Sequence, residues 1–467
     1  MLVKKIFILV KKIFILVNIM KKLLLTTFFG LLCTLGITSA SITYTESALA
    51  DQVTELSGLN YKPAFNQFSG YLQIPNSKKN IHYWMTEAET NPEEAPLVFW
   101  TNGGPGCSGL IGFLTEQGPF YPNQNLELEP NDWAWNKIVN MVFLEQPVGV
   151  GFSWTSDSSE LKIGDDQAAK DNLQSIIALL DKFPHLKSVP LYITSESYGG
   201  HYMPQLSMEI IKYGKLNFKG MAVGNPYVDY YSGVGAQMET YNNKQLLPLP
   251  LWEKYTEQGC LDPAVMLNNS ACSTYALDFM KRIGNLNPYA LDYPVCVTAQ
   301  QKQMTNYLLG TSTSADYEPC RDNYMTEYLN QDIVKKQLHV KQDIVWEECS
   351  RTTKYELKDK MFSTIHLYKE ILNVAPDLHM MIYYGDDDGV CGLNYGQKWI
   401  FDLGYVYNSL WKAWYVDGQT AGYLTTFKNK NLVFATVHYA GHEVPTYKPK
   451  EAFHLFEAYI NNDFGQL

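Results

Sequence analysis

The chain has 467 residues, of which 46% are hydrophobic, 14% aromatic and 18% charged. That composition excludes a disordered chain, a fibre and a coiled coil, and the length fits a large enzyme domain carrying an insertion. The formal net charge is -11 although six lysines against one acid fall in the first fifty residues. The body of the chain is therefore more acidic still and repels phosphate backbones, so nucleic acid is not an expected partner.

The amino terminus reads as an address. The segment Leu2–Ile8 is repeated at Leu9–Ile15, followed by Met20-Lys21-Lys22 and an apolar run from Leu23 to Gly36. Basic residues, then an apolar stretch, then Thr38, Ser39 and Ala40 make the pattern of a secretory signal covering 1–40 and cleaved near Ala40, with Met20 as an alternative start. A membrane anchor is the competing reading, but lysines interrupt the stretch and its uninterrupted core is shorter than about 20 residues. Residues 41–50 are then a short pro-segment or linker, and 51–467 the main domain. The mature chain has no further segment able to span a bilayer, and its expected location is the secretory pathway, ending in a lysosome or vacuole or outside the cell. Of the eight cysteines, Cys33 leaves with the signal. Seven in an oxidising compartment imply three bridges and one free thiol. No C-x-x-C or H-x-x-x-H spacing points to zinc, and no metal is expected.

Buried parallel strands are predicted at Pro96–Asn102, Val139–Gln146, Leu191–Ser195, Met221–Gly224, Met380–Gly385 and Leu432–Val437. Helices are predicted at Asp165–Phe183, Pro204–Lys212, Leu357–Ile371 and Lys450–Ile460. Strands alternating with helices argue for an α/β layer fold. The stretch 229–353 breaks this rhythm; it holds five of the seven remaining cysteines and the sequon Asn268-Asn269-Ser270, with Asn268 the candidate glycosylation site. It reads as an insertion stapled by disulfides.

Leu191–Tyr202 joins an apolar strand, the turn Ser195-Glu196-Ser197-Tyr198-Gly199 and a helix start. In the α/β-hydrolase elbow such a turn holds a serine hydroxyl clear of the sheet, and small neighbours avoid backbone collision. A serine nucleophile needs a base held by an acid. In this fold both follow the serine, each just beyond a strand. Asp386-Asp387-Asp388-Gly389 follows one strand and Gly441-His442-Glu443-Val444-Pro445 the next. Taken singly these are a solvated acidic turn and a loop histidine; in this order they complete a triad. Asn102-Gly103-Gly104-Pro105-Gly106-Cys107-Ser108 closes the first strong strand with glycines able to aim N–H groups at a developing oxyanion. A phosphate loop would carry Lys-Ser/Thr, and none follows.

With these blocks in order, the chain resembles the serine carboxypeptidase family from about Leu56 to Leu455. The resemblance rests on Phe68–Leu72, the block from Asn102 to Ser108, Phe143–Ser153, Glu196–Tyr202, Gly224-Asn225-Pro226, Gly385-Asp386-x-Asp388 and Gly441-His442-x-Val444-Pro445. It implies an α/β-hydrolase fold: a central, mostly parallel sheet flanked by helices, with a disulfide-stapled, mainly helical insertion over the active site. Ser197 would be the nucleophile, His442 the base and Asp388 its orienting acid, with Asp386 structural. The N–H groups of Gly104 and Tyr198 would form the oxyanion hole, and Asn102, Gly103, Glu116 and Glu196 would grip the substrate's terminal carboxylate. Glu443 and Cys391 would line the leaving-residue pocket, Cys391 as the free thiol. The bridges would be Cys107–Cys349, Cys260–Cys272 and Cys296–Cys320. Three departures from the family pattern are Ser195 for glycine, Gly199 for alanine and Gly109 for serine.

The partners so implied are the C-termini of peptides and proteins, with no cofactor, and a monomer or homodimer as the assembly. Two glutamates facing a carboxylate work as hydrogen-bond donors only when protonated, so activity at acidic pH is expected. Glu443, when ionised, would favour a basic C-terminal residue. Two alternatives are an acyltransferase on the same scaffold and a glycoprotein that binds or protects partners without turnover.

Overall fold

The computed structural model describes residues 42–297, 317–465 and 467; the expected signal, 1–40, lies outside the described residues. The central strands are β1 (Gln67–Gln73), β2 (Lys79–Thr86), β3 (Leu97–Thr101), β4 (Asn140–Glu145), β5 (Leu191–Glu196), β6 (Phe218–Gly224), β7 (His379–Gly385), β8 (Tyr407–Val416), β9 (Gln419–Phe427) and β10 (Leu432–Val437). They lie in the order β1-β2-β4-β3-β5-β6-β7-β10-β9-β8, and the short strand Trp154–Thr155 pairs with β2. The middle of the sheet, from β4 through β3, β5, β6 and β7 to β10, is parallel. Both ends are antiparallel.

Successive side chains on a strand point to opposite faces. Phe99, Val142, Ile193, Met221, Val223, Ile382 and Phe434 thus enter one core, while Val98, Trp100, Met141, Phe143, Tyr192, Ala222 and Tyr383 enter the other. Cover on both faces explains why these strands read as unbroken apolar runs. The first core is closed by helices α1 (Asp165–Lys182), α2 (Gly199–Tyr213), α3 (Ile365–Val374) and α4 (Leu393–Phe401); the second is closed by α5 (Pro449–Asn461) and parts of the insertion.

The six expected strands form, and four differences have local causes. Helix α2 begins at Gly199, ahead of the expected Pro204. Proline removes an N–H that would bond the carbonyl four residues back, and that carbonyl, Gly200 O, instead accepts from Thr364 Oγ1 at 2.8 Å and Tyr368 Oη at 3.0 Å. The helix expected over Leu357–Ile371 is two, Leu357–Met361 and α3, because the Thr364 N–H is drawn off to Val228 O at 2.9 Å. The antiparallel pairs β1–β2 and β8–β9 were not expected; β8 is half exposed and irregularly registered, so it lacks the continuous apolar signal. Finally, the compact unit begins at Tyr44 and not at 51: Tyr44 donates to Glu87 Oε1 at 2.7 Å and packs its ring on Phe68, while Thr45 Oγ1 donates to Lys182 O.

The insertion is mainly helical, with Tyr230–Asn243, Leu249–Glu257, Pro263–Asn268, Ser270–Arg282, Arg321–Leu329 and Asp332–Gln337. It has a small core of its own around Met238, Tyr241, Tyr255 and Phe279, stapled by Cys260–Cys272. Bridges Cys296–Cys320 and Cys107–Cys349 complete the set, and Cys391 is a free cysteine. Asn268 is exposed at the end of its helix. Among the described residues no helix is long and apolar enough to cross a membrane.

Candidate active site

Only Ser197 and Tyr198 separate β5 from α2. Ser197 has φ +57°, a strained value for a non-glycine residue. Backbone bonds on both sides hold it: its N–H to Gly224 O at 2.9 Å, and its carbonyl from Tyr227 N–H at 2.7 Å. Ser195 is fully buried and donates from Oγ to Thr101 O at 2.6 Å. A Cβ on Gly199 would lie 2.1 Å from that oxygen. The side chain gained at 195 thus fills the space vacated at 199, and the positive φ falls on Ser197, so the departure from glycine at 195 leaves the turn intact. Gly109 has a comparable reason, since a Cβ there would meet Leu144 O at 2.3 Å.

The loop after β3 lies against this turn. A Cβ on Gly103 would sit 2.4 Å from Tyr198 N, and Gly104 has φ +109°. Gly106 N–H donates to Tyr202 Oη at 3.1 Å, and Cys107 ties the loop to Cys349. The N–H groups of Gly104 and Tyr198 meet no acceptor among the described residues, and both residues line one cavity with Ser197.

Asp388 and His442 come from the loops after β7 and β10. Asp388 Oδ2 accepts from His442 Nδ1 at 2.6 Å, Asn225 Nδ2 at 2.8 Å and Cys391 N at 3.1 Å, while Oδ1 accepts from Val390 N at 2.7 Å. A carboxylate at Nδ1 fixes the proton there and leaves Nε2 as the basic nitrogen. Burial alone would lower the His442 pKa, but the Asp388 charge and hydrogen bond, with Glu443, raise it above the usual imidazole value. Tyr289 covers the imidazole ring at 5.1 Å and takes the His442 N–H on its carbonyl. Ser197 and His442 both face a cavity of about 620 Å³. No hydrogen bond joins Ser197 Oγ to His442 Nε2 in this arrangement. Asp386 binds elsewhere, accepting from His438 Nδ1 and Tyr439 N.

Behind the serine, the Asn102 amide is saturated. Its oxygen accepts from Trp100 Nε1 at 2.8 Å and Gly112 N at 3.1 Å; its nitrogen donates to Glu116 Oε1 and Glu196 Oε1, each at 2.8 Å. Glu116 ends the wide helical turn Gly112–Glu116, and its buried carboxyl shares a hydrogen bond with that of Glu196. Burial, with Asp322 as a further contribution, pushes Glu116 to about 8 against the pull of Asn102. Burial, then the charges of Glu116 and Glu443, drive Glu196 well above the carboxylate range.

Glu443 lines the cavity beside His442, and desolvation with the charges of Asp322, Glu116 and Glu348 brings it to about 8. Glu348 is brought to about 7 by desolvation and Asp322. Cys391 also lines the cavity; burial, then Asp388 and Glu196, hold its thiol protonated. Asn225, Tyr289, Asp322 and Glu348 were not anticipated as site residues. Asn225 alone left a trace, standing in the quoted Gly224-Asn225-Pro226 block.

A family model described as serine carboxypeptidase matches residues 58–462. Among curated proteins, serine carboxypeptidase 24 of Arabidopsis thaliana is 34% identical over 463 residues, covering 93% of this chain and 97% of that protein. Serine carboxypeptidase-like 28 of the same plant is 32% identical, covering 89% and 92%. Among solved structures, the prohormone-processing carboxypeptidase Kex1(delta)p from Saccharomyces cerevisiae superposes with a TM-score of 0.73 at 21% identity, covering 89% of this chain and 96% of that one.

Proposed function

The chain belongs to the serine carboxypeptidase family and is a serine-type carboxypeptidase, and from that premise we propose which residues do the work and under what conditions. Ser197 Oγ attacks the carbonyl of the last peptide bond while His442 Nε2 takes its proton and Asp388 stabilises the imidazolium. The N–H groups of Gly104 and Tyr198 receive the oxyanion. His442 then returns the proton to the departing amine, the C-terminal residue leaves, and water hydrolyses the acyl-serine by the same steps in reverse. Substrate binding brings the Ser197–His442 contact to hydrogen-bonding distance, as catalytic contacts commonly tighten in the complex.

The observation that carries the exopeptidase reading is the Asn102–Glu116–Glu196 cluster beside the nucleophile. An enzyme cutting inside a chain has no need for donors to a terminal carboxylate. Below about pH 8, where Glu116 keeps its proton, the cluster offers carboxyl O–H donors to that terminus, with Asn102 holding both carboxyl groups in place and Gly103 as the backbone wall. The working range is thus bounded above by loss of these protons and below by protonation of His442, which places the acid side of pH 8 within reach. Asp322 and Glu348 join Glu443 at the leaving-residue end, which supports acceptance of basic C-terminal residues. Three disulfides support residues 1–40 as a secretory signal and a destination in a lysosome or vacuole or outside the cell, and exposed Asn268 is open to glycosylation.

The test is C-terminal release from a peptide library between pH 4 and 8, with fluorophosphonate labelling of Ser197. KM should rise towards pH 8 while kcat is maintained or increased by deprotonation of His442, Glu196→Gln should flatten the rise in KM, and Ser197→Ala should abolish release. An unlabelled Ser197 would leave only the binding-protein reading. Turnover of an activated ester with an alcohol acceptor, but of no blocked dipeptide, would favour the acyltransferase.

A further inference from the structure

The cavity is electrically lopsided. Glu443, Asp322 and Glu348 gather at one end with Tyr317 and Tyr447. This is also the end of the carboxylate cluster, because Glu116 and Glu443 bear on each other. The wall on the far side of Ser197 is built differently, from Tyr198, Tyr227, Gln237 and Lys360. The Tyr227 N–H is bonded to the Ser197 carbonyl at 2.7 Å, its ring stacks on Tyr198 with centroids 5.9 Å apart, and its hydroxyl donates to Lys360 O at 3.0 Å. Lys360 is therefore pinned one tyrosine away from the nucleophile.

Lys360 is half-buried and lines the cavity, and among the described residues its ammonium has no carboxylate partner. The adjacent Asp359 makes no ion pair with it: that carboxylate accepts from the Asp165 N–H at 2.9 Å, and its charge bears on Tyr198. Among the described residues no other lysine or arginine lines this cavity. The terminal carboxylate belongs to the leaving residue, so a peptide held by the cluster must run across Ser197 towards Tyr227 and Lys360. We propose that Lys360 is a specificity-determining residue that favours an acidic side chain on the residue just before the scissile bond. Resting on the carboxypeptidase reading above, this deepens it: the enzyme reads the last two residues as an acidic–basic pair.

The expected preference is roughly three- to fivefold, which at 1.4 kcal/mol per tenfold corresponds to about 0.7–1 kcal/mol, the upper part of the range for an ion pair at a partly solvated wall. The test compares kcat/KM for blocked dipeptides with Glu, Gln or Lys before a C-terminal Arg, at pH 6, where a substrate glutamate with a pKa of about 4.3 is ionised. The wild type should prefer Glu to Gln by that factor and accept Lys least, with the spread shrinking as salt is added. Lys360→Met should level Glu and Gln, and Lys360→Glu should invert the order; fluorophosphonate labelling of Ser197 reports that each variant keeps its site. Equal rates on Glu and Gln in the wild type, or an unchanged order in Lys360→Glu, would overturn the assignment while leaving the carboxypeptidase reading in place. Failure to cut all three peptides, with Ser197 unlabelled, would remove both.

Discussion

Glu443 is a carboxyl that holds its proton up to about pH 8, which changes how it reads a basic residue. Below that value it is mostly neutral and offers a hydrogen bond, whereas near and above it a full charge faces the leaving side chain. The ratio of kcat/KM for peptides ending in Arg over Leu should therefore climb between pH 5 and 8, by up to about tenfold for an interaction of 1.4 kcal/mol. Glu443→Gln should flatten the climb, and a ratio independent of pH in the native enzyme would refute it. Ser197, Asp388 and His442 are legible in the chain because each follows a strand in a fixed order. Asp322 and Glu348 are not, because what places them at the site is a cavity wall assembled from the insertion, with no local pattern to mark it. Tyr289 is hidden for the same reason.

At the scale of elements, the junction of β5 and α2 is a fitted pair. Gly199→Ala should drive a methyl into Ser195 Oγ and destabilise the enzyme by about 1–3 kcal/mol, the usual cost of overpacking. Ser195→Gly together with Gly199→Ala should recover most of the loss, as neighbouring sites are not additive. Denaturant midpoints of the two single variants and the double variant measure this; additive losses would contradict the fit. The parallel strands are readable because both faces are buried, which makes them continuous apolar segments. The true start of α2 is not, since Pro204 argues locally against a helix and only Thr364 and Tyr368, from distant sequence, satisfy the carbonyl it frees. Edge strand β8 escapes for the opposite reason: half its residues face water, and its pairing with β9 is set by the sheet.

For the molecule as a whole, Glu116 and Glu443 at about 8 and Glu348 at about 7 mean that the folded chain binds protons which the unfolded chain releases above about pH 4.5. A raised folded pKa gives stability that is fully present below the unfolded value and is lost as pH rises through the folded one. Tm should therefore decline by several degrees between pH 5 and 8, and Glu116→Gln should shallow the decline; a Tm that rises across this interval would contradict it. The insertion was visible as a change of rhythm between 229 and 353, whereas its separate small core depends on tertiary packing that no local pattern announces. One consequence concerns heat itself. Asn102 is followed by glycine, the sequence most prone to ring closure through a succinimide, yet four hydrogen bonds and the press of Gly103 against Tyr198 deny that reaction its geometry. Unfolding removes the protection, and deamidation would then set a third acid between Glu116 and Glu196. Chains held hot before cooling should thus age chemically at this one linkage, and refold to their former shape with a blunted grip on their substrates.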